Sequence, residues 1–330
     1  MTASDITRFA LRHATWLIFG AALLLFGALA DGFLTPESIG NIVKQASFIG
    51  IAAVGITFVL LTRGIDLSVG SVMYLAPLLA GLFMRETGMG VGAGFVVATL
   101  AGVVMGACNA FFIVRLGIAP FIVTLASLFF FRGFGTWLTS SRQFDFPPEM
   151  LQFGLSRIFG IPLPIVVFAL TVVIAHIVLS RTSFGRQVYA LGADPEAARK
   201  AGIRTGWVET SVYLISSGSA AVAGFVLIAQ IGRLDVAFGE AREFDVIAAA
   251  VLGGASLFGG VGTAVGTAVG ATLIQTVKTG LIFLGINLYL QPIALGVVIF
   301  VAVLIDGLRT RRMKLMQRRA IRAHTTSATE

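Results

Sequence analysis

Long apolar runs separated by clusters of charge dominate this chain. They lie at 14–31, 44–62, 67–84, 90–114, 117–138, 161–180, 208–230, 245–260, 263–284 and 286–306. About 20 apolar residues wound as a helix cross the roughly 30 Å of hydrocarbon in a bilayer. Lipid offers no partner to bare backbone N–H and C=O groups, so the helix, which closes its own hydrogen bonds, is the form these runs must take. A β-barrel would show alternating segments of about 10 residues, and none appear. The expected fold is an all-α polytopic membrane protein of about ten transmembrane helices. The run at 245–260 is the shortest, and glycine breaks up the sequence between 245 and 284.

Composition excludes a water-soluble alternative. The 330 residues are 57% hydrophobic and only 12% charged, against about 25% charged in an ordinary soluble domain. No polar linker divides the chain, so one transmembrane domain is expected over 14–306, with an N-terminal arm at 1–13 and a basic tail at 307–330. The net charge of +8 is not a nucleic-acid signature. Seven of the basic residues fall between Arg309 and Arg322, just after the last apolar run, and no nucleic-acid recognition motif accompanies them. With Arg8 and Arg12 before the first run, the positive-inside rule places both termini in the cytoplasm, which an even number of spans satisfies. The same rule puts 181–207 inside, with Arg181, Arg186, Arg199, Lys200 and Arg204. It leaves 31–43, 139–160 and 231–244 outside. The first run ends Ala28-Leu29-Ala30, like a signal-peptide cleavage site. With so many spans following, it reads as an uncleaved first helix. The lone Cys108 allows no intrachain disulfide and packs as a small hydrophobe.

Asp194 to Gly202 spells a complete short helix. Asp194 is a good N-cap and Pro195 fits the first helical position. Glu196 complements the positive helix start, Arg199 and Lys200 suit the last turn, and Gly202 suits the stop. About two turns are marginal alone in water, so this helix is expected to dock on something. Ala197, Ala198 and Ala201 make it slim.

Polar residues at span ends carry the other signals. Asp66, close to Arg63, either caps the helix beginning near Leu67, pairs with the arginine, or lines a substrate path. Glu243 and Asp245 raise the same question before the eighth run. Asn109 reads as an interhelical hydrogen bond or a substrate contact. Gly262, Gly266 and Gly270 would share one helix face. Gly253-Gly254 and Gly259-Gly260 mark a break, serving tight packing or a bend that lines a gate. His176 reads as structural, and Lys278 as a snorkelling lysine. The chain offers no metal-ligand cluster, no nucleophile–base spacing and no G-x-x-x-x-G-K-[ST] loop for ATP. A membrane-embedded enzyme is therefore not expected. A secondary transporter driven by an ion gradient stays as the alternative, although the charges sit mostly at span ends and no internal repeat is apparent.

Glu196-Ala197-Ala198 followed by Gly202 resembles the EAA-x-x-x-G loop of ABC importer permeases. Gly64-Ile65-Asp66-Leu67-Ser68-Val69-Gly70-Ser71 is similar to the ribose/xylose/arabinose-type permeases, as is Pro120-Phe121-Ile122-Val123-Thr124-Leu125. So are Phe184-Gly185-Arg186 with Tyr189-Ala190-Leu191-Gly192, and Phe244-Asp245-Val246-Ile247-Ala248-Ala249 leading into Gly253-Gly254-Ala255-Ser256 and Gly259-Gly260. The resemblance runs from about 45 to 305. Ala193 and Ala255 depart from it, and the last part of the EAA pattern is not evident. It implies the permease subunit of a binding-protein-dependent importer in a bacterial inner membrane, translocating a pentose or hexose. The implied partners are an ATP-binding subunit, a periplasmic sugar-binding protein, a second copy or paralogue of the permease, and lipid. ATP would be held by the partner, leaving this chain without a cofactor. Asp194, Pro195, Glu196, Ala197, Ala198 and Gly202 would form the ATPase-coupling loop. Asp66, Ser68, Asn109, Thr124, Glu243, Asp245, Gly253, Gly254, Ser256, Gly259 and Gly260 are the candidates for the path or gate.

Overall fold

The computed structural model describes residues 14–290 and, beyond them, 292–293, 296–297 and 300. The arm at 1–13, most of the run at 286–306 and the tail at 307–330 lie outside the described residues, and with them the expected location of both termini.

Helix α1 covers Ala14–Leu29. Helix α2, Pro36–Leu61, starts eight residues before the apolar run because Thr35 caps it, accepting from Ser38 N at 3.3 Å, and Pro36 takes the first helical position. Then come α3 (Val69–Thr87), α4 (Val91–Ala110, prolonged by a π-turn over Phe111–Arg115) and α5 (Pro120–Thr139). The connection to α7 (Leu163–Arg181) holds β1 (Phe144–Asp145), α6 (Pro148–Leu155) and a small hairpin, β2 (Arg157–Ile158) with β3 (Ile161–Pro162). Two short helices follow, α8 (Ser183–Ala193) and α9 (Pro195–Lys200). The rest of the chain forms α10 (Thr205–Ile231), β4 (Arg233–Leu234), α11 (Arg242–Leu252) and α12 (Ala264–Phe283). Strand β4 pairs antiparallel with β1. Helices α2, α4 with its π-turn, α5, α7 and α10 are long and apolar enough to cross a membrane.

The core is the α2–α10 pair, nearly wholly buried. Small residues bring the backbones together. A Cβ on Gly55 would lie 2.5 Å from Ser219 Cβ, and one on Gly102 2.6 Å from Ser217 O. Between helices in lipid, such close van der Waals contact supplies attraction that the hydrophobic effect cannot. The packing falls into two matched sets. Helix α10 packs on α4 and α3, which pack on each other, and α2 packs likewise on α12 and α11. Each central helix is followed by a non-helical segment, 62–68 or 232–241, and then by α3 or α11. The packing thus shows a correspondence between the two sets that the residue pattern does not display.

The expected span at 245–260 is corrected here. Helix α11 has 11 residues and rises about 16 Å, half the hydrocarbon thickness. The chain then turns through 253–263 and returns as α12. The turn is tight because a Cβ on Gly253 would lie 2.5 Å from Gly266 O. Gly266 and Gly270 both face α11, whereas Gly262, with φ 152, precedes α12 and does not share their face. Lys278 does not snorkel either. Its Nζ sits 2.7 Å from Asp245 Oδ2, tying α12 to α11, because a carboxylate within reach satisfies the ammonium better than a path to the interface.

Candidate functional site

A buried polar network lies where α3, α4, α5 and α10 meet. The chain leaves α2 through turns at Thr62 and Arg63, passes without regular structure over Gly64–Asp66 and enters α3 at Val69. Asp66 is completely buried. Its Oδ1 accepts from Ser68 N at 3.0 Å and Ser68 Oγ at 2.6 Å, and its Oδ2 accepts from Ser216 Oγ of α10 at 2.8 Å. Ser68 Oγ in turn accepts from Asn109 Nδ2 of α4 at 2.9 Å, and Asn109 Oδ1 accepts from Ser127 Oγ of α5 at 2.5 Å. Thr124 Oγ1 donates to Ile65 O at 3.4 Å and to Pro120 O at 2.9 Å. Four of the sequence candidates, Asp66, Ser68, Asn109 and Thr124, therefore come together. Burying a carboxylate is costly unless its oxygens are satisfied, and here three donors converge on it. The hydroxyls of Tyr213 and Ser217 are buried beside α4 and α2 with no partner among the described residues.

Asp66 does not pair with Arg63. The guanidinium turns the other way, Nε donating to Gly192 O at 2.7 Å and Nη2 to Ala193 O at 2.5 Å, so it caps the C-terminal carbonyls of α8. A cation there also meets the negative end of the helix dipole. Asp66 lies two residues before the N-cap of α3, Ser68, and orders that start through the Ser68 amide.

Arg63 belongs to a junction at this same C-terminal end of α2. Gly260 N donates to Leu61 O at 2.9 Å, and Tyr189 OH of α8 donates to Gly262 O at 2.7 Å. Burial pushes the Tyr189 phenol above its usual range, keeping the donating proton in place. The sequence candidates Gly253, Gly254, Ser256, Gly259 and Gly260 all sit in this 253–263 turn rather than in the Asp66 network. Ser256 shapes the turn, its Oγ accepting from Phe258 N at 3.1 Å and its N–H donating to Val261 O at 2.8 Å. Helix α9 hangs from the same junction. Asp194 Oδ1 accepts from Glu196 N and Ala197 N, both at 3.0 Å, and Gly202 takes φ 81 just past the helix. Ala198 is buried while Glu196, Ala197 and Ala201 are exposed, so only part of the alanine surface faces outward.

Arg63 also holds φ 66, a left-handed conformation that costs a side-chain-bearing residue roughly 1 kcal/mol. Its two hydrogen bonds offset that strain. Replacing Arg63 by Ala should therefore destabilise more than replacing it by Gly, by about 1 kcal/mol, since both lose the guanidinium but only Gly relaxes the backbone. Thermal unfolding of the two variants in detergent measures the difference, and an alanine variant as stable as the glycine variant refutes the compensation.

Of the remaining candidates, Asp245 pairs with Lys278 and, at 3.9 Å, with Arg242. Glu243 is buried, and a Cβ on Gly70 would collide with its carboxylate, so it stands at the N-terminus of α3. Ser127 and Ser216 of the network, Arg63 of the junction, and Arg132, whose Nη1 donates to Val236 O at 3.1 Å, are absent from the sequence candidates. Arg132 interrupts the 117–138 run, which is a signal in itself, since an arginine in an apolar span is costly without a partner. The serines carry no such signal, because hydroxyls are frequent in apolar helices.

A profile of the family described as branched-chain amino acid transport system / permease component matches residues 38–305. The chain belongs to this family. The match takes in α2 to α12, the Asp66 network and the junction. Among relatives of the permease, the ribose import permease protein of Bacillus subtilis (strain 168) is 36% identical over 290 residues, covering 86% of this chain and 89% of that protein. The fructose import permease protein of Rhizobium meliloti is 33% identical over 302 residues, 88% of this chain and 83% of that one. The D-allose transport system permease protein of Escherichia coli (strain K12) is 30% identical over 299 residues, 90% and 92%. No solved structure matches the chain. The permease is a multi-pass inner-membrane protein.

Proposed function

We propose that the permease is the membrane conduit of a binding-protein-dependent, ATP-driven importer of a pentose or hexose. The observation that carries this reading is the end-to-end likeness to permeases whose names specify ribose, fructose and allose import. The same likeness decides against a transporter driven by an ion gradient.

In this reading α9 is the contact to the ATP-binding subunit. Two turns are too short to be stable alone, and the surface of Glu196, Ala197 and Ala201 is thin enough to enter a cleft. The end bearing α8 and α9 is then cytoplasmic, in keeping with its basic residues, and the end bearing α6 and the β1–β4 pair receives the sugar-binding protein. A second copy or paralogue completes the conduit, lipid surrounds the pair, and ten crossings, the eighth made jointly by the non-helical 232–241 segment and the half-length α11, place both termini in the cytoplasm. ATP is bound by the partner subunit, so the permease works without a cofactor and without enzymatic activity of its own.

The test is uptake by proteoliposomes containing the permease and its ATP-binding subunit, with the sugar-binding protein outside and ATP inside. Uptake should require all three proteins and stop with vanadate, and the purified permease should hydrolyse no ATP. Uptake that follows a sodium or proton gradient instead, without ATP, overturns the reading.

A further inference from the structure

The segment between β4 and α11 is non-helical chain inside a helical bundle. From Leu234, paired with β1, residues 235–241 run down to Gly239, where a Cβ would lie 2.5 Å from Gly70 O at the start of α3. Asp235, Ala237 and Glu240 are exposed along it, whereas Gly239 is buried. Irregular backbone at membrane depth is tolerated where it is packed in protein or lines water, and exposed carboxylates exclude lipid. One side of this strap therefore borders an aqueous space and the other rests on the helix that carries the Asp66 network.

One side chain fastens the strap. Arg132, on α5, donates from Nη1 to the carbonyls of Val236 (3.1 Å) and Phe238, and its guanidinium lies 4.8 Å from the centre of the Tyr74 ring of α3. Glu240 and Glu243 are within electrostatic reach of it. Helix α5 is largely exposed, packs one side on α3, and is tied to the bundle by a few polar links, such as Ser71 Oγ to Leu128 O at 2.7 Å and Ser127 to Asn109. A guanidinium hydrogen-bonded to two carbonyls of a non-helical strap is a fastening that can be released, and Glu240 and Glu243 at the end of the strap are alternative partners for it.

We propose that the 235–241 strap is the outer gate of the sugar route and that Arg132 is its latch, holding the Val236 and Phe238 carbonyls when the gate is closed and passing to Glu240 and Glu243 when it opens. Arg132 is a positioning residue here, since it acts through the strap. The proposal rests on the importer reading above.

The experiment uses the full assembly in proteoliposomes, with Cys108→Ser removing the native thiol and Ser71→Cys as the reporter. Ser71 is buried one residue from the contact between Gly70 and Gly239. Arg132→Met should raise the rate at which an impermeant thiosulfonate added on the binding-protein side modifies this cysteine by tenfold or more, and should let ribose leak without ATP. Arg132→Lys, which can reach one carbonyl, should raise the rate about threefold. Gly239→Ala leaves Arg132 intact but forces the strap off Gly70, and should open the reporter as Arg132→Met does. An unchanged rate in both Arg132→Met and Gly239→Ala, with the ATP-binding subunit still co-purifying, overturns the latch. A faster rate without any leak overturns the gate and places the sugar route elsewhere. Wild-type ATP-driven uptake in the same vesicles reports on the importer reading separately.

Discussion

Gly192→Ala is expected to abolish coupled uptake while leaving the permease in the membrane. A Cβ on Gly192 would collide with Leu61 O and lie 2.6 Å from Gly260 N. Those two atoms are themselves hydrogen-bonded at 2.9 Å. The methyl group therefore has nowhere to go except between the end of α2 and the 253–263 turn, and neither neighbour is a flexible side chain that could rotate away. Overpacking of this kind costs typically 1–3 kcal/mol. Separating the elements also strains the Gly260–Leu61 bond and the two bonds from Arg63, each worth about 1 kcal/mol net. The two core helices are held by contacts far from this point, so insertion should survive. What is lost is the rigid seating of α8 and α9 on the bundle, and with it the transmission of ATPase motion to the conduit. The measurement is ATP-driven uptake beside ATP hydrolysis by the assembled complex. Hydrolysis should continue while uptake falls at least tenfold. Normal uptake by Gly192→Ala would mean that the junction is not part of the transmission.

Asp66→Ala should be nearly as damaging, and Asp66→Asn much less so. Alanine removes the acceptor for three donors at once: Ser68 N, Ser68 Oγ and Ser216 Oγ. Each buried donor left without a partner costs about 1–3 kcal/mol, and the start of α3 loses the interaction that orders it. The Ser68–Asn109–Ser127 chain, which seats α5, then loses its anchor. Asparagine keeps one oxygen for Ser68 and places an amide against the Ser216 hydroxyl, which can accept as well as donate. Uptake at matched membrane levels should fall in the order wild type, Asn, Ala, and thermal stability in detergent should follow it. Equal loss of uptake in both variants, with stability preserved in Asn, would assign the role to the charge of Asp66 rather than to its acceptor geometry.

The cases of Asp66 and α9 show what is readable and what is not. The caps of α9 lie within nine consecutive residues, Asp194 to Gly202, and their chemistry acts over one or two turns. The N-cap bonds of Asp194 and the left-handed Gly202 could therefore be written down from the sequence. Asp66 could be recognised as an expensive residue needing partners, with a cap, Arg63 or a substrate path all left open, and Arg63, the one charge near it in sequence, does not pair with it. The acceptors of Arg63 lie 129 and 130 residues away, and Ser216, which does bond Asp66, lies 150 residues away. The candidates Asp245 and Glu243, two residues apart, separate in the same way, one paired with Lys278 and the other facing Gly70.

By itself the sequence determined the solvent, the helical class and most of the long helices, because lipid imposes a length and an apolar content on any segment that crosses it. It also determined the local starts and stops, whose hydrogen bonds close within a few residues. Only the tertiary structure decided that α11 ends half-way and that the non-helical 235–241 segment meets the start of α3, Gly239 against Gly70. It alone joined α8, α2 and the 253–263 turn at one junction, and it gave Arg132 its carbonyls. The physical reason is that hydropathy is a sum over a window and cannot distinguish a helix that crosses from one that stops against another chain segment. Which polar group answers which depends on where the close approach of small residues lets backbones meet, and that is a property of pairs of helices rather than of any one of them.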